Sequence, residues 1–392
     1  MDQFKGCLLG ALIGECVGTP LKRPTSCHMN LAGVRSKIST YWEKMLLTHA
    51  YGRSLLDTGY FSMENAAREC SNAFYQNYTK RTAFGKLTEI IASWKHSPPK
   101  DWTAAAQSVR NRGTECNPAA WITAFPLYFY NRTEQMSYSV DRVARLTHSS
   151  NDAAAGAQLQ AYAISLVLKN KKMKELEFLA ALVEYTSKSL PDSVRQEFYT
   201  RMMMVLDYAQ RAEPKEKLFK AIGVGTSPLD AVPVAIYCAA IGRRSGCPFE
   251  ATFHAAMSTG GCTDAIGTMA CAIAGAWSGF SGIPDEMVGM WDGQEQIYAL
   301  AKELYTYVST LHGPDGPLST IENWPHLLPS AGAMARTGLY YIGSKDTVKC
   351  HYCRFTMSNW TPGDPYSDHQ RFNENCIFVT NCTATPAYVR AS

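Results

Sequence analysis

The chain is poor in charge. Of 392 residues only 18% are Asp, Glu, Lys or Arg, and 38 basic against 34 acidic residues leave a net charge of +4. So small an excess gives no electrostatic footprint for nucleic acid. Long apolar runs are also missing: none approaches the ~18 residues a membrane helix requires. The apolar stretch Cys7–Val17 follows Asp2 and a single Lys5, and no Ala-x-Ala-like site comes after it. It reads as a core helix rather than a secretory leader. No nucleic-acid or membrane partner is expected, and the location expected is cytoplasmic or nuclear. What is plentiful is apolar. Hydrophobic residues make up 46%, which excludes a disordered chain, and the length suits two domains.

Two-residue alternation is almost absent before residue 338. Gly6–Gly18, Ala153–Leu168 and Thr268–Trp277 carry small and apolar residues at close spacing, as tightly packed buried helices do. Pro284 is expected to open a helix at its permitted first turn. Ile297, Leu300, Ala301, Leu304, Val308 and Leu311 follow with the 3.6-residue period. Residues 1–312 are therefore predicted to be an all-α domain. His312-Gly-Pro-Asp-Gly-Pro317 stops the last helix, and 313–319 reads as a linker. Residues 320–392 are richer in aromatics and turn residues, with short β-prone runs at Gly338–Gly343 and Thr347–Lys349. They are predicted to form a small α+β module, too short for a large core and in need of a staple.

The staple is legible in the cysteines. Nine of the 13 lie in residues 1–312 without regular spacing, and read as small buried hydrophobes. Near the C-terminus comes Cys350-x2-Cys353-x15-His369-x6-Cys376. A close cysteine pair on a turn, with a distant His and Cys, is the ligand set of a closed tetrahedral zinc site.

This segment resembles the inhibitor-of-apoptosis repeat, the BIR domain. The resemblance rests on Asn323-Trp324-Pro325, the run Ala335–Gly343, Asp346-x-Val348-x-Cys350-x-x-Cys353, the run Asn359–Pro365, His369 and Cys376. It implies a structural zinc and a role in binding proteins or peptides rather than catalysis. Some members seat a peptide N-terminus in a groove with a Gly-rich stretch after the second Cys and tryptophans near the His. Here Arg354-Phe355-Thr356 replaces that stretch, and Tyr366 and Phe372 stand where tryptophans are common.

The helical part resembles the ADP-ribosylglycohydrolases, closest to the branch acting on serine-linked and poly-ADP-ribose. The landmarks are the run Phe4–Gly18, Leu146-Thr-His-Ser-Ser150, Ala231–Tyr237 and the run Ser258–Ala265. The resemblance implies cleavage at the ribose C1″ with two magnesium ions held by carboxylate and hydroxyl oxygens. The family's first ligand motif, Thr-Asp-Asp-Thr, falls on Trp42-Glu43-Lys44-Met45. Its second, Asp-x-Asp-Thr, falls on Cys262-Thr263-Asp264-Ala265. The catalytic Glu position falls on Lys22, and the Gly-rich phosphate loop on the run Cys116–Trp121, which begins Cys116-Asn117-Pro118. His148 matches a pocket histidine; with the Thr before it, it also reads as a helix-start region. Glu15 follows a family Asp position and reads as an ordinary first-helix contact.

Magnesium wants hard oxygens in near-octahedral array, and Cys262, Met45 and Ala265 offer none. Lys44 and Lys22 repel a dication. Magnesium is therefore not expected, and no catalytic residue is assigned. Lys22, Glu43, Lys44, Asn117, His148 and Asp264 are left as a vestigial ligand pocket. Lysines there are able to face the phosphates of ADP-ribose, unless Trp42, Met45 and Trp121 fill the space. The reading is a catalytically inactive binding or scaffold protein. An active or residual ADP-ribosyl hydrolase is the first alternative. A bulk structural protein is the second, because jellyfish lens crystallins resemble this hydrolase family.

Overall fold

The computed structural model describes residues 1–19, 43–59, 61–76, 90, 91, 94, 115–289, 291–312, 324–326, 329, 334, 337–350, 353–376 and 379. The chain divides into two compact units, Met1–Asp57 with Met63–Tyr305, and Thr58–Ser62 with Thr306–Ser392. Among the described residues no helix is long and apolar enough to cross a membrane.

The larger unit is helical. Its elements are α1 (Asp2–Gly18), α2 (Glu43–Thr58), α3 (Met63–Gln76), α4 (Asn117–Trp121), α5 (Ala124–Tyr128), α6 (Thr133–Arg145) and α7 (Asn151–Lys169). There follow α8 (Glu175–Ser189), α9 (Asp192–Gln210), α10 (Lys215–Ile222), α11 (Pro228–Gly242), α12 (Pro248–Met257), α13 (Thr263–Ser278) and α14 (Gln294–His312), of which α14 belongs to this unit as far as Tyr305. The three helices expected from small, apolar sequence are α1, α7 and α13. Residues Thr263 to Trp277 are all buried, so α13 is apolar on every side and forms the centre of the unit.

α1 lies against α13 with backbone nearly touching backbone. A Cβ built on Gly6, Gly10, Gly14 or Gly18 would stand under 3.0 Å from backbone atoms of α13. The four glycines are four residues apart, so they share one face of α1. Gly6 meets Gly275, Gly14 meets Gly267 and Gly18 meets Asp264, so the helices run antiparallel. The C-terminal end of α1, with Glu15, is thereby brought to the N-terminal end of α13, with Asp264.

Pro284 does not open the long helix. It precedes a single 3-10 turn, Asp285–Met287, and α14 begins only at Gln294. Gly289 and Gly293 between them have φ of +84° and +80°, a left-handed conformation that a helix cannot include. Of the expected apolar stripe, Ile297, Leu300, Ala301, Leu304 and Val308 are buried, and the side chain of Leu311 lies outside the described residues.

The smaller unit holds an antiparallel sheet in the order β1 (Leu339–Tyr341), β2 (Val348–Cys350), β3 (Thr356–Met357), followed by α15 (Pro365–Phe372). Leu339 pairs with Cys350, and Val348 with both Tyr341 and Met357. Val348 and Cys350 face the core while Lys349 does not, the alternation of a sheet with one covered side. Trp324, Met334, Leu339, Met357 and Cys376 complete that small core. Asp364 caps α15, its carboxylate accepting from the backbone N–H of Tyr366 and Ser367.

Candidate functional site

In the larger unit, three helix ends converge on two carboxylates and one ammonium. Asp264 is the second residue of α13 and Lys44 the second residue of α2. The Lys44 ammonium donates to Asp264 Oδ2 at 2.6 Å. Lys44 is 5% exposed, Asp264 2% and Glu15 1%. Glu15 reaches from α1 to the start of α2. Its Oε1 accepts from the Lys44 backbone N–H at 2.7 Å and its Oε2 from the Met45 N–H at 2.9 Å. It thus satisfies two of the four N–H groups that a helix start leaves unbonded. A lysine at a helix N-terminus faces the positive end of the helix dipole, and the two acids offset that cost.

The first turn of α2 is also tied to α4. The Thr48 hydroxyl lies 3.0 Å from the Lys44 carbonyl and 2.9 Å from the Trp121 carbonyl, shared between the two acceptors. Met45 and Trp121 are fully buried. His148 is buried with Nδ1 2.9 Å from the Thr147 hydroxyl, and the Trp121 and His148 rings meet edge to face at 5.7 Å. The helix start near it is capped by Ser150, whose hydroxyl accepts from the N–H of Asp152 and Ala153. His148 thus lies just before a helix start, as its place in the sequence suggests, and Ser150 is the residue that caps it. Asn117 is the first residue of α4, and its amide donates to Glu115 Oε2 at 3.0 Å. Glu43 begins α2. Lys22, and Trp42 of the expected filling, lie outside the described residues.

Two thiols adjoin the ion pair. Cys262 Sγ is 3.8 Å from Cys116 Sγ and donates to Asp264 Oδ1 at 3.7 Å. The hydrogen bond to Cys262, and then burial, push the Cys116 thiol up from its ordinary value. Burial pushes Cys16 up as well, with Glu15 adding to the effect. Both stay protonated at neutral pH.

The expected set is thus partly gathered. Lys44 and Asp264 touch, and Glu15 joins them from a place sequence reading treated as ordinary. A signal was available: a lone Glu inside a stretch of small and apolar residues must be buried, and a buried carboxylate needs partners. Lys44, expected to face phosphate, directs its ammonium at Asp264 instead. No oxygen of Asp264 or Glu15 is left without a donor from this chain. That donor set does not fit a magnesium ion.

In the smaller unit, Cys350, Cys353, His369 and Cys376 gather with ligand atoms all within 4.8 Å of one another. Cys350 Sγ to Cys376 Sγ is 3.9 Å and Cys353 Sγ to His369 Nε2 is 3.5 Å. A tetrahedral zinc ion puts two sulfurs about 3.8 Å apart, and a sulfur and an imidazole nitrogen about 3.6 Å apart. The residues fit the ion. The Cys353 N–H points to Cys350 Sγ at 3.5 Å, as suits a thiolate. Burial lowers the His369 pKa, against a backbone hydrogen bond at Thr337, and favours the neutral ring that a metal binds. Arg354 has φ of +61°, a left-handed conformation that favours glycine. Phe355 and Phe372 stack at 6.4 Å between ring centroids.

Comparison with known proteins agrees with both parts. The ADP-ribosylglycohydrolase family model matches residues 1–312, and the Inhibitor of Apoptosis domain (BIR) model matches 318–380. ADP-ribosylhydrolase ARH3 of Bos taurus is 25% identical over 343 residues, 78% of this chain and 93% of that protein. E3 ubiquitin-protein ligase IAP-3 of Orgyia pseudotsugata multicapsid polyhedrosis virus is 42% identical over 65 residues, 16% of this chain and 24% of that protein. A solved ADP-ribosylglycohydrolase-related protein complex shares the fold, with a TM-score of 0.60 at 19% identity, covering 78% of this chain and 98% of that one.

Proposed function

We propose, from the premise that the chain belongs to the ADP-ribosylglycohydrolase family and carries a C-terminal BIR domain, that this member is a catalytically inactive binding or scaffold protein. The observation that carries the reading is the contact of Lys44 with Asp264. A tethered ammonium neutralises the one carboxylate left from the second metal-binding motif. Glu15 is occupied as the cap of α2. Among the described residues Asp264 and Glu15 offer magnesium no open oxygen cage, and a hydrolysis that depends on a metal-polarised bond and a metal-held water would lack both there. Met45 and Trp121 add bulk where the family keeps its ligand.

The BIR domain supplies the protein contacts. Zinc, held by Cys350, Cys353, His369 and Cys376, acts as its structural crosslink. The stacked Phe355 and Phe372 rings and Arg354 stand where other members keep an open groove. Partner binding is therefore proposed for the BIR surface without assigning a free peptide N-terminus to that groove. A cytoplasmic or nuclear location suits the eleven free cysteines among the described residues.

The test is release of ADP-ribose from a serine-ADP-ribosylated peptide by the full-length protein, with magnesium and then with EDTA. Release no faster than in buffer is expected. Magnesium-dependent turnover would overturn the reading in favour of an active hydrolase. Calorimetric titration of ADP-ribose in the same two buffers separates a metal-free reader, which binds in both, from a scaffold, which binds in neither.

A further inference from the structure

We propose that Cys116 and Cys262 are a redox pair that closes reversibly to a disulfide, joining the starts of α4 and α13 beside the Lys44–Asp264 contact. Their sulfurs are 3.8 Å apart and both side chains are buried. Each cysteine is the residue immediately before a helix. Each backbone N–H is fixed to the same short span: Cys116 N donates to the Thr226 carbonyl at 2.7 Å, and Cys262 N to the Val224 carbonyl at 2.9 Å. Gly261 holds the second anchor close. Its φ is +62°, and a Cβ there would collide with the Val224 carbonyl. The two cysteine backbones are thus registered against one another by three residues of chain. A bond of about 2.05 Å needs the two sulfurs, now 3.8 Å apart, to approach by under 2 Å.

The bond would be felt by the ion pair. Cys262 S–H donates to Asp264 Oδ1, and Lys44 holds Oδ2. Oxidation removes the thiol hydrogen and leaves Asp264 relying more on Lys44. The oxidant is a small disulfide such as oxidised glutathione. When the site opens transiently to solvent, one cysteine gives its proton to water and its sulfur attacks the oxidant, forming a mixed disulfide and releasing one glutathione thiolate. The second cysteine thiolate attacks the mixed disulfide at the protein sulfur, forming the Cys116–Cys262 bond and releasing the second glutathione. Two protein thiols are oxidised, one glutathione disulfide is reduced, and both protons end on the released glutathione. In a reducing compartment such a bond is transient, as sensing disulfides are. No ligand takes part, so the bond forms or fails independently of the scaffold reading.

The experiment uses full-length, zinc-loaded protein carrying Cys247→Ser, which removes an exposed competing thiol. It is equilibrated over a series of glutathione redox ratios, with and without urea below the unfolding transition, to open buried sites. Non-reducing digestion and mass spectrometry should find a Cys116–Cys262 linked peptide that grows with oxidised glutathione and vanishes with dithiothreitol. The oxidised form should melt at a higher temperature, because the bond spans 146 residues of unfolded chain. Cys116→Ala should abolish both the peptide and the shift, whereas Cys271→Ala should keep both. If both thiols remain fully alkylatable after denaturation at the most oxidising ratio, in urea as well as without it, the pair is ordinary core packing and the proposal falls.

Discussion

Lys44 Nζ stands 2.6 Å from Asp264 Oδ2, from residues 220 positions apart, and both side chains are buried. Two charges at that depth persist only as a pair, because the solvation each has lost is repaid by the other and by nearby donors. The contact neutralises the Asp264 carboxylate, while Glu15 is held by backbone N–H groups.

Removing one partner should therefore cost far more than removing both. Lys44→Ala leaves Asp264 buried and uncompensated, and is expected to cost about 3–5 kcal/mol. Lys44→Met with Asp264→Leu should recover most of that loss. Urea unfolding midpoints of the single and double variants measure the difference, and additive losses would rule out the pairing.

Glu15 is expected to act as a cap, not as a charge reservoir. Glu15→Ala should cost about 1–3 kcal/mol through two unsatisfied backbone N–H groups, and Glu15→Gln less. Hydrogen exchange should show faster exchange at the Lys44 and Met45 amides in Glu15→Ala. Unchanged exchange there would contradict the cap.

The α1–α13 contact should tolerate no side chain. Gly14→Ala puts a methyl group against the Gly267 backbone. It is expected to cost roughly 3 kcal/mol or more, whereas overpacking elsewhere costs about 1–3. Gly246→Ala, where the added Cβ meets nothing within 4 Å, is the control. Thermal melts of the two variants decide it.

In the BIR domain, Arg354→Gly should stabilise by about 1 kcal/mol, because glycine takes the φ of +61° without the Cβ clash. Chelator resistance of the zinc-loaded protein should rise with it. A destabilised variant would mean that the arginine side chain outweighs its backbone strain.

Asp346 gives the BIR domain an acid limit. Backbone N–H groups of Asn359 and Trp360, at 3.0 and 2.7 Å, and His326 hold its carboxyl below the ordinary carboxylate value. A depressed native pKa contributes stability above the unfolded value near 3.9, and that stability is lost as pH falls through the native value. The side chain is partly exposed, 15% by area, so solvent screening keeps the contribution modest. Trp360 fluorescence should report unfolding of wild-type protein on acidification below about pH 4. Asp346→Asn should weaken the acid dependence in that range.

The two-part organisation was legible because each part carries a local signature. Close-spaced small residues mark α1, α7 and α13, and four ligand residue types in order mark the cysteine–histidine cluster. Pro284 was misjudged because its local permission to start a helix was overruled five and nine residues later by Gly289 and Gly293. Glu15 was underrated because its partners lie 29 and 30 residues away, on α2.

By itself, then, the sequence determined the helical character of the long N-terminal part and the Cys350, Cys353, His369 and Cys376 set near the C-terminus, and it placed Lys44 and Asp264 in segments that resemble the family's ligand motifs. Only the tertiary structure decided what those residues do instead. The antiparallel packing of glycine backbones carries Glu15 to Asp264, and α2 then presents Lys44 to both. That arrangement depends on helix faces meeting across more than two hundred residues. No local pattern of side chains encodes such a distance, because burial and pairing are properties of the assembled core.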